Sequence, residues 1–407
     1  MYAYIYKNMC MWNHLHSEFN IGNLLSTQLI ACVADLFGRS HKNTQGIITN
    51  GGTNSIMKSA LIYTNCGINK GIKRDKCFIV APDTIHAALQ KAAIAYGFRL
   101  ILVPTKNGNV DLKKLETKVR KYKAIAIFCS FPSYPYGNSD NIFELSKIAK
   151  KYNTALHVDC SLGGFVMDTS KIWYDGVTSI SIDTHKFGLA PKGLSIALFV
   201  PGWINYLVYK IPDWKGGIYA TLGDEGSITI IPIMTSLMTI LYYGKSYYRR
   251  NALSIIRTAN FIRNAITIFD KLEIISPMNT PIIAFRIHNN NNAYHISDEM
   301  RLRGFNFNEL SDGIVHWCVT PRFINNETEI MQKFICNLRE CINKFTNNDT
   351  NMDTTKSISD NGNAKLYCSV NNIQTCNCKL DEILLGPFLL DQAMTNHCLV
   401  MNNPYIV

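Results

Sequence analysis

The sequence predicts an α/β protein: a mainly parallel sheet flanked by helices, followed by a smaller α+β C-terminal domain. Three observations predict it. Short apolar or β-branched runs alternate with helical segments through the first half of the chain; that alternation stops near Pro201; and 47% hydrophobic with 17% charged residues is the composition of a globular chain. Strands that alternate with helices build parallel sheets covered on both faces. A chain of 407 residues has room for one large unit and one smaller one, each with its own core.

Residues 17 to 37 read as an amphipathic helix, because Leu25, Leu29, Cys32, Val33 and Leu36 recur at helical spacing and Gly38 follows as a stop. Next come GIITN with a helix from Thr53, CFIV with a helix through His86, then LILVP, AIAIFC, ALHVD, SISID and SIALFV, each short enough for a strand. After Pro201 a long helical pattern covers residues 230 to 272. Strands are then expected at 281–287 and 314–320, with helices near 293–303 and 326–345. The expected division is an N-terminal segment and helix at 1–40, a large domain at 41–270 and a small domain at 271–407. Within the last, residues 346–363 are polar and almost free of aliphatic side chains, the composition of a mobile surface insertion. The Asn run at 289–292 reads as a loop.

Bulk properties exclude several function classes. The net charge of +11 is spread through the helical stretches without a dense basic block, so nucleic acid is not an expected partner. Positive potential of this kind draws in anionic substrates or phosphate-bearing ligands. The thirteen cysteines are odd in number and lie mostly singly, as at Cys32, Cys77, Cys129 and Cys160, which fits reduced thiols in a cytoplasmic protein. Cys376 and Cys378 lack a second pair at zinc-site spacing, so no metal is expected. The N-terminus shows no secretory pattern. The uncharged stretch from Gly226 to Gly244 contains Pro232 and several hydroxyl residues, and reads as a buried helix rather than a membrane span.

The chemistry concentrates at predicted strand ends. Ser181-Ile182-Asp183-Thr184-His185-Lys186 places a lysine just past a strand, at the carboxyl edge where open α/β sheets hold their ligands. A lysine there acts as a nucleophile toward a carbonyl once it loses its proton. Asp159 closes the strand ALHVD and can meet Lys186 at the same edge. Gly51-Gly52-Thr53 opens a helix after GIITN, so its N–H groups and the positive end of the helix dipole suit a phosphate. His86 stands at the start of the next helix, able either to cap it or to lie flat on an aromatic ring. Thr184 and His185, beside the lysine, are within reach of a phosphate.

The order Gly-Gly-Thr, His, Asp, Thr-His-Lys is that of fold-type-I enzymes that use pyridoxal 5'-phosphate (PLP), whose ring nitrogen a carboxylate keeps protonated. The segments ITNGGTNSIMKSA, HAALQKAAIAYGFRLILVP, CSFPSYPYGNSDNIFELSKIAKKYNTALHVDCSLGGFVM, SISIDTHKFGLAPKG and KGGIYA closely resemble those of the sphingosine-phosphate lyase family, from about Trp12 to the C-terminal end. The resemblance implies that Lys186 carries PLP as a Schiff base. It also implies a phosphorylated long-chain base as substrate, cleaved between C2 and C3 into phosphoethanolamine and a fatty aldehyde. Lys192 matches a family lysine at the substrate phosphate or hydroxyl, His16 a histidine near the substrate phosphate, and Tyr134 and Tyr136 lie in the segment lining the family's pocket.

A homodimer with shared active sites is implied too, with membrane contact only peripheral, through the lipid substrate. The family's eukaryotic members carry an N-terminal membrane anchor before the catalytic region. This chain begins near the Trp-Asn-x-Leu-His segment and is expected to lack it, with a longer native form placed at the cytosolic face of the endoplasmic reticulum. Where the family has Gly-Ser-Arg-Pro-Gly, this chain has Gly226-Ser227-Ile228-Thr229-Ile230, and Ile cannot replace the anion-gripping fork of Arg. Two alternatives follow: an amino-acid decarboxylase with the same cofactor apparatus, and a non-catalytic relative that keeps the fold.

Overall fold

A computed structural model describes residues 21–170, 172–224, 229–288, 293–321 and 327–348. The chain divides into two compact units. The first holds the described residues up to Tyr134 and those from Asn138 to Ser254; the second holds Pro135–Gly137 and those from Ile255 onward. The division falls inside a helix, earlier than the expected boundary at 270. Arg263 shows why the last turns of that helix go with the small unit: its buried guanidinium donates to the carbonyl oxygens of Thr280 (3.2 Å) and Ile282 (2.7 Å). A buried guanidinium is stable only when its donors are satisfied in this way.

The large unit begins with helix α1 (Ile21–Leu36), whose Leu29, Val33 and Ala34 are buried, as the helical spacing predicts. A seven-stranded sheet follows, in the order β1-β9-β8-β7-β6-β2-β3. Its strands are β1 (Gln45–Thr49), β2 (Phe78–Pro82), β3 (Arg99–Val103), β6 (Ala126–Ser130), β7 (Ala155–Asp159), β8 (Ser179–Asp183) and β9 (Ser195–Phe199). All neighbours are parallel except for β9, which runs antiparallel to both β8 and β1. Because β9 reverses, the link from β8 needs no crossover helix and is the short loop Thr184–Leu194. Strands β4 (Thr105–Lys106) and β5 (Asn109–Val110) form a small side ribbon.

Helix α2 (Gly52–Asn69) starts at Gly52 rather than Thr53. Helix α3 (Ala88–Tyr96) begins after His86, which therefore precedes it instead of lying inside. Helices α4 (Leu112–Tyr122) and α5 (Ile142–Lys151) open on Asp111 and Asn141, whose side chains accept from the first free N–H groups. One core joins α2, α3 and the sheet, with Ile56, Ala60, Tyr63, Ile79, Leu89, Leu100, Phe128 and Phe199 buried together.

Beyond the sheet, β10 (Val208–Ile211) and β11 (Tyr219–Leu222) pair as a hairpin. Helix α6 (Ile230–Ile266) includes the uncharged stretch from Ile230 to Gly244 and is broken at Gly244, whose φ of 67° leaves the helical region. Its first part buries Ile230, Ile233, Leu237 and Ile240. Among the described residues, no helix is long and apolar enough to cross a membrane.

The small unit is a four-stranded antiparallel sheet in the order β12-β13-β15-β14. These are β12 (Leu272–Ile274), β13 (Ile282–Ile287), β14 (Asn308–Glu309) and β15 (Val315–Cys318). Helices α7 (Tyr294–Leu302) and α8 (Glu327–Asn348) complete it. Trp317 stacks on Phe334 at 5.0 Å between ring centres, one of several aromatic contacts in this core. Most of the expected insertion at 346–363 lies outside the described residues.

Candidate active site

Strands β1, β2, β7 and β8 all present their carboxyl ends at one edge of the large sheet. Asp159 is the last residue of β7 and Asp183 the last of β8; Gly51-Gly52-Thr53 follow β1, and His86 follows β2. Lys186 Nζ lies 3.0 Å from Asp183 Oδ2, and the lysine is 39% exposed while the carboxylate is 2% exposed. The amine is thus accessible at a buried counter-charge. His185 Nδ1 donates to the Leu194 carbonyl oxygen at 2.7 Å, and its Nε2 faces Asp183 Oδ2 at 3.5 Å. Tyr248 donates its hydroxyl proton to the Gly188 carbonyl at 2.9 Å, and the Ala190 N–H returns to the Thr184 carbonyl at 3.0 Å. The lysine loop is tied at both ends and in the middle.

Asp159 accepts three hydrogen bonds at Oδ1: from Ser161 N (3.0 Å), Ser161 Oγ (2.6 Å) and Ser181 Oγ (2.8 Å). Oδ2 is left for a further donor. Burial alone raises the pKa of such a carboxyl, but the Ser161 hydrogen bonds and the positive charges of His86 and Lys186 outweigh it and hold Asp159 below the usual carboxylate range. The side chain is therefore anionic at neutral pH.

Gly52 begins α2 beside these groups. A Cβ there would stand 2.7 Å from Ser161 Oγ and 2.9 Å from Asp183 Oδ1, so only glycine brings the helix N-terminus this close. No side chain caps that terminus, which leaves its first N–H groups for an anion. Among the buried polar atoms that lack a protein partner, three lie at this edge: Asp183 Oδ1, Thr84 Oγ1 and Asn54 Oδ1. Buried polar atoms without partners are costly in a finished fold. An uncapped helix end, a free carboxylate oxygen, an accessible lysine and these orphaned atoms together fit a phosphorylated pyridine aldehyde.

His86 is exposed, and its Nδ1 accepts from Ala88 N at 3.0 Å, so it does cap the helix. Lys192 is exposed between Pro191 and Gly193. Thr184, expected within reach of a phosphate, faces inward here. Its side chain is fully buried and its hydroxyl is taken up by the Leu194 carbonyl (3.0 Å) and Ser236 Oγ (3.2 Å), so it anchors the loop instead. Tyr136 groups with the small unit and Tyr134 with the large one. His16 and the Gly226-Ser227-Ile228 segment lie outside the described residues.

The sequence reading missed Asp183, Ser161, Ser181 and His157. Their signal was present as strict alternation: Leu156-His157-Val158-Asp159 and Ser179-Ile180-Ser181-Ile182-Asp183 are polar at every second position, although both strands are wholly buried. Buried parallel strands usually read as continuous apolar runs.

Sheet order, glycine-opened helix, strand-end carboxylate and loop lysine together define a fold-type-I PLP enzyme. Residues 15–200 match the family model for the pyridoxal-dependent decarboxylase conserved domain. The chain is 36% identical over 337 residues to a probable sphingosine-1-phosphate lyase of Legionella pneumophila, covering 78% of this chain and 55% of that one. It is 31% identical over 351 residues to sphingosine-1-phosphate lyase 1 of Rattus norvegicus, covering 83% of this chain and 61% of that one. Among solved structures, the Burkholderia pseudomallei sphingosine-1-phosphate lyase superposes with a TM-score of 0.77 at 27% identity, over 84% of this chain and 82% of that one. A Lactobacillus brevis glutamate decarboxylase shares the fold at a TM-score of 0.72 and 18% identity, over 84% of this chain and 85% of that one. Over most of its length the chain is similar to sphingosine-1-phosphate lyases, and its cofactor is PLP. It spans 55–61% of the length of these two curated relatives.

Proposed function

We propose that this chain carries a PLP-dependent lyase activity that cleaves the C2–C3 bond of sphingosine 1-phosphate and related long-chain base phosphates to a fatty aldehyde and phosphoethanolamine. The observation that carries this reading is the juxtaposition of Lys186, its buried partner Asp183 and the anionic Asp159 at one sheet edge, in a chain whose wording follows the lyases.

In this reading Lys186 would hold PLP covalently through Nζ, and Asp159 Oδ2 would accept a hydrogen bond from the protonated ring nitrogen. His86 lies against the ring. The N–H groups of Gly52 and Thr53, together with His185, hold the cofactor phosphate, while Thr184 keeps their loop in place. PLP supplies a sink for the electron pair released when the C2–C3 bond breaks. That bond breaks only if the C3 hydroxyl gives up its proton, and Lys192 is placed in this role or at the substrate phosphate. His16 holds the substrate phosphate, and Tyr136 lines the pocket.

A homodimer with shared sites is part of the proposal. The hairpin β10–β11 supports it: every residue of β10 is exposed, and Trp214 and Ile218 are 57% and 73% exposed. Apolar surface of this extent on a soluble protein marks an interface. The proposed location is the cytoplasm, with membrane contact only through the lipid substrate.

Purified protein supplied with PLP and sphingosine 1-phosphate is expected to release long-chain aldehyde and phosphoethanolamine, read by mass spectrometry. Carbon dioxide from amino acids with no aldehyde would make it a decarboxylase instead. PLP uptake without either product would leave a binding protein.

A further inference from the structure

Behind Asp159, on the polar face of β7 and β8, a line of side chains runs through the buried sheet. Parallel register pairs His157 with Ser179 and Asp159 with Ser181, so the four side chains share one face. Tyr63 from α2 reaches the same face. Its hydroxyl bonds to Ser179 Oγ in a short contact and to Thr178 Oγ1 at 2.8 Å. His157 Nδ1 is 2.7 Å from Ser179 Oγ, and its Nε2 is 3.3 Å from Ser181 Oγ. All of these except Thr178 are buried.

Counting protons fixes the direction of the links from Ser179 to Asp159. Asp159 is anionic and accepts only, so Ser181 spends its one hydroxyl proton on Asp159 Oδ1. Toward His157, Ser181 Oγ can then only accept, which places the imidazole proton on Nε2. Burial pushes the His157 pKa down and keeps the ring neutral, so Nδ1 is an acceptor and Ser179 donates to it. Ser179 Oγ in turn accepts from Tyr63, whose own proton is held by burial that raises its pKa. From Ser179 onward each donor points toward Asp159: Ser179 to His157, His157 to Ser181, Ser181 to the carboxylate, while the single Tyr63 proton is shared between Ser179 Oγ and Thr178 Oγ1. Hydrogen bonds aligned head to tail polarise one another and strengthen the last acceptor's negative charge.

We infer that His157 is a positioning residue that, acting through Ser181, keeps Asp159 ionised and fixed where it is to meet the PLP ring nitrogen. The inference rests on the cofactor reading above. Of the other titratable groups around Asp159, His86 and Lys186 favour its ionised form, the Asp183 carboxylate stands at the same sheet edge beyond Ser161 and Gly52, and the Cys129 and Cys160 thiols have pKa values raised by burial and further by the carboxylates near them.

The test uses protein reconstituted with PLP labelled with 15N in its ring, and compares Ser181→Ala, His157→Leu and His157→Gln with the unmodified chain. Ser181→Ala removes one oxygen and is expected to leave the fold intact. In Ser181→Ala and His157→Leu the ring nitrogen should lose its proton at a pH lower by about one unit, with PLP bound roughly tenfold more weakly. His157→Gln retains an N–H near the Nε2 position and should recover most of both. In the unmodified protein labelled with 15N-histidine, His157 should be neutral with its proton on Nε2. Unchanged ring-nitrogen titration and PLP affinity in Ser181→Ala, or an Nδ1–H tautomer, would overturn the inference alone. Failure of the unmodified chain to take up PLP would overturn the proposed function and this inference together.

Discussion

Lys186 and Asp159 make different demands on their surroundings. The lysine needs access and a counter-charge, and Asp183 supplies the latter from full burial at 3.0 Å. The aspartate needs to remain charged while 8% exposed, and Ser161 and Ser181 supply three donors to one oxygen. Lys186→Ala is expected to abolish the near-visible absorption band of protein-bound PLP, measured by spectrophotometric titration. Asp159→Asn keeps the shape but removes the charge-assisted bond, and should weaken PLP binding by about 10–100-fold in the same titration. Asp140 shows the opposite balance. Its carboxyl accepts from Ser130 N at 2.8 Å, yet burial raises its pKa to about 7. A folded-state pKa raised above the unfolded value means that the neutral form is the one the fold favours. Its contribution to stability is complete below about pH 4 and is lost as pH rises through about 7. Asp140→Asn should therefore melt progressively higher than the unmodified chain as pH increases across that window, as followed by circular dichroism.

The elements were largely legible in the sequence, and the contacts between them much less so. ALHVD and SISID are β7 and β8 residue for residue, because each is a short run between turn residues. That Ser181 serves Asp159 was not legible, since it depends on the parallel register between these two strands. The direction of the Thr184 hydroxyl was not legible for a related reason: adjacency to the lysine in sequence does not say which way it is drawn, and it donates to the Leu194 carbonyl. The start of α2 is fixed by contact rather than propensity. Gly52→Ala would drive a methyl group against Ser161 and Asp183, a strain of about 1–3 kcal/mol. PLP affinity should fall by about tenfold or more, while the far-ultraviolet spectrum keeps its helical content.

At the scale of the whole molecule, the chain forms two units, each described by its own core. All of the proposed PLP-holding groups lie in the large unit; the Pro135–Gly137 segment belongs with the small one, tied there by His316 Nδ1 donating to the Pro135 carbonyl at 2.8 Å. That Pro135–Gly137 group with the small unit was not legible in the composition. Association into a dimer is tested most directly at the hairpin. Ile218→Asp places a charge on its most exposed apolar residue, and sedimentation velocity should show a shift from dimer toward monomer, with aldehyde release declining in parallel.

The reversal of β9 has a kinetic meaning. A lysine carried on a long crossover would sample many positions before finding a carbonyl carbon. Carried on the short return from β8 to β9, pinned by Leu194, Tyr248 and its own turn, it is confined to a small volume from the moment the chain folds. The search that a free amine would conduct by diffusion is replaced by a high local concentration, so capture of the aldehyde should be limited by arrival of the ligand rather than by movement of the loop.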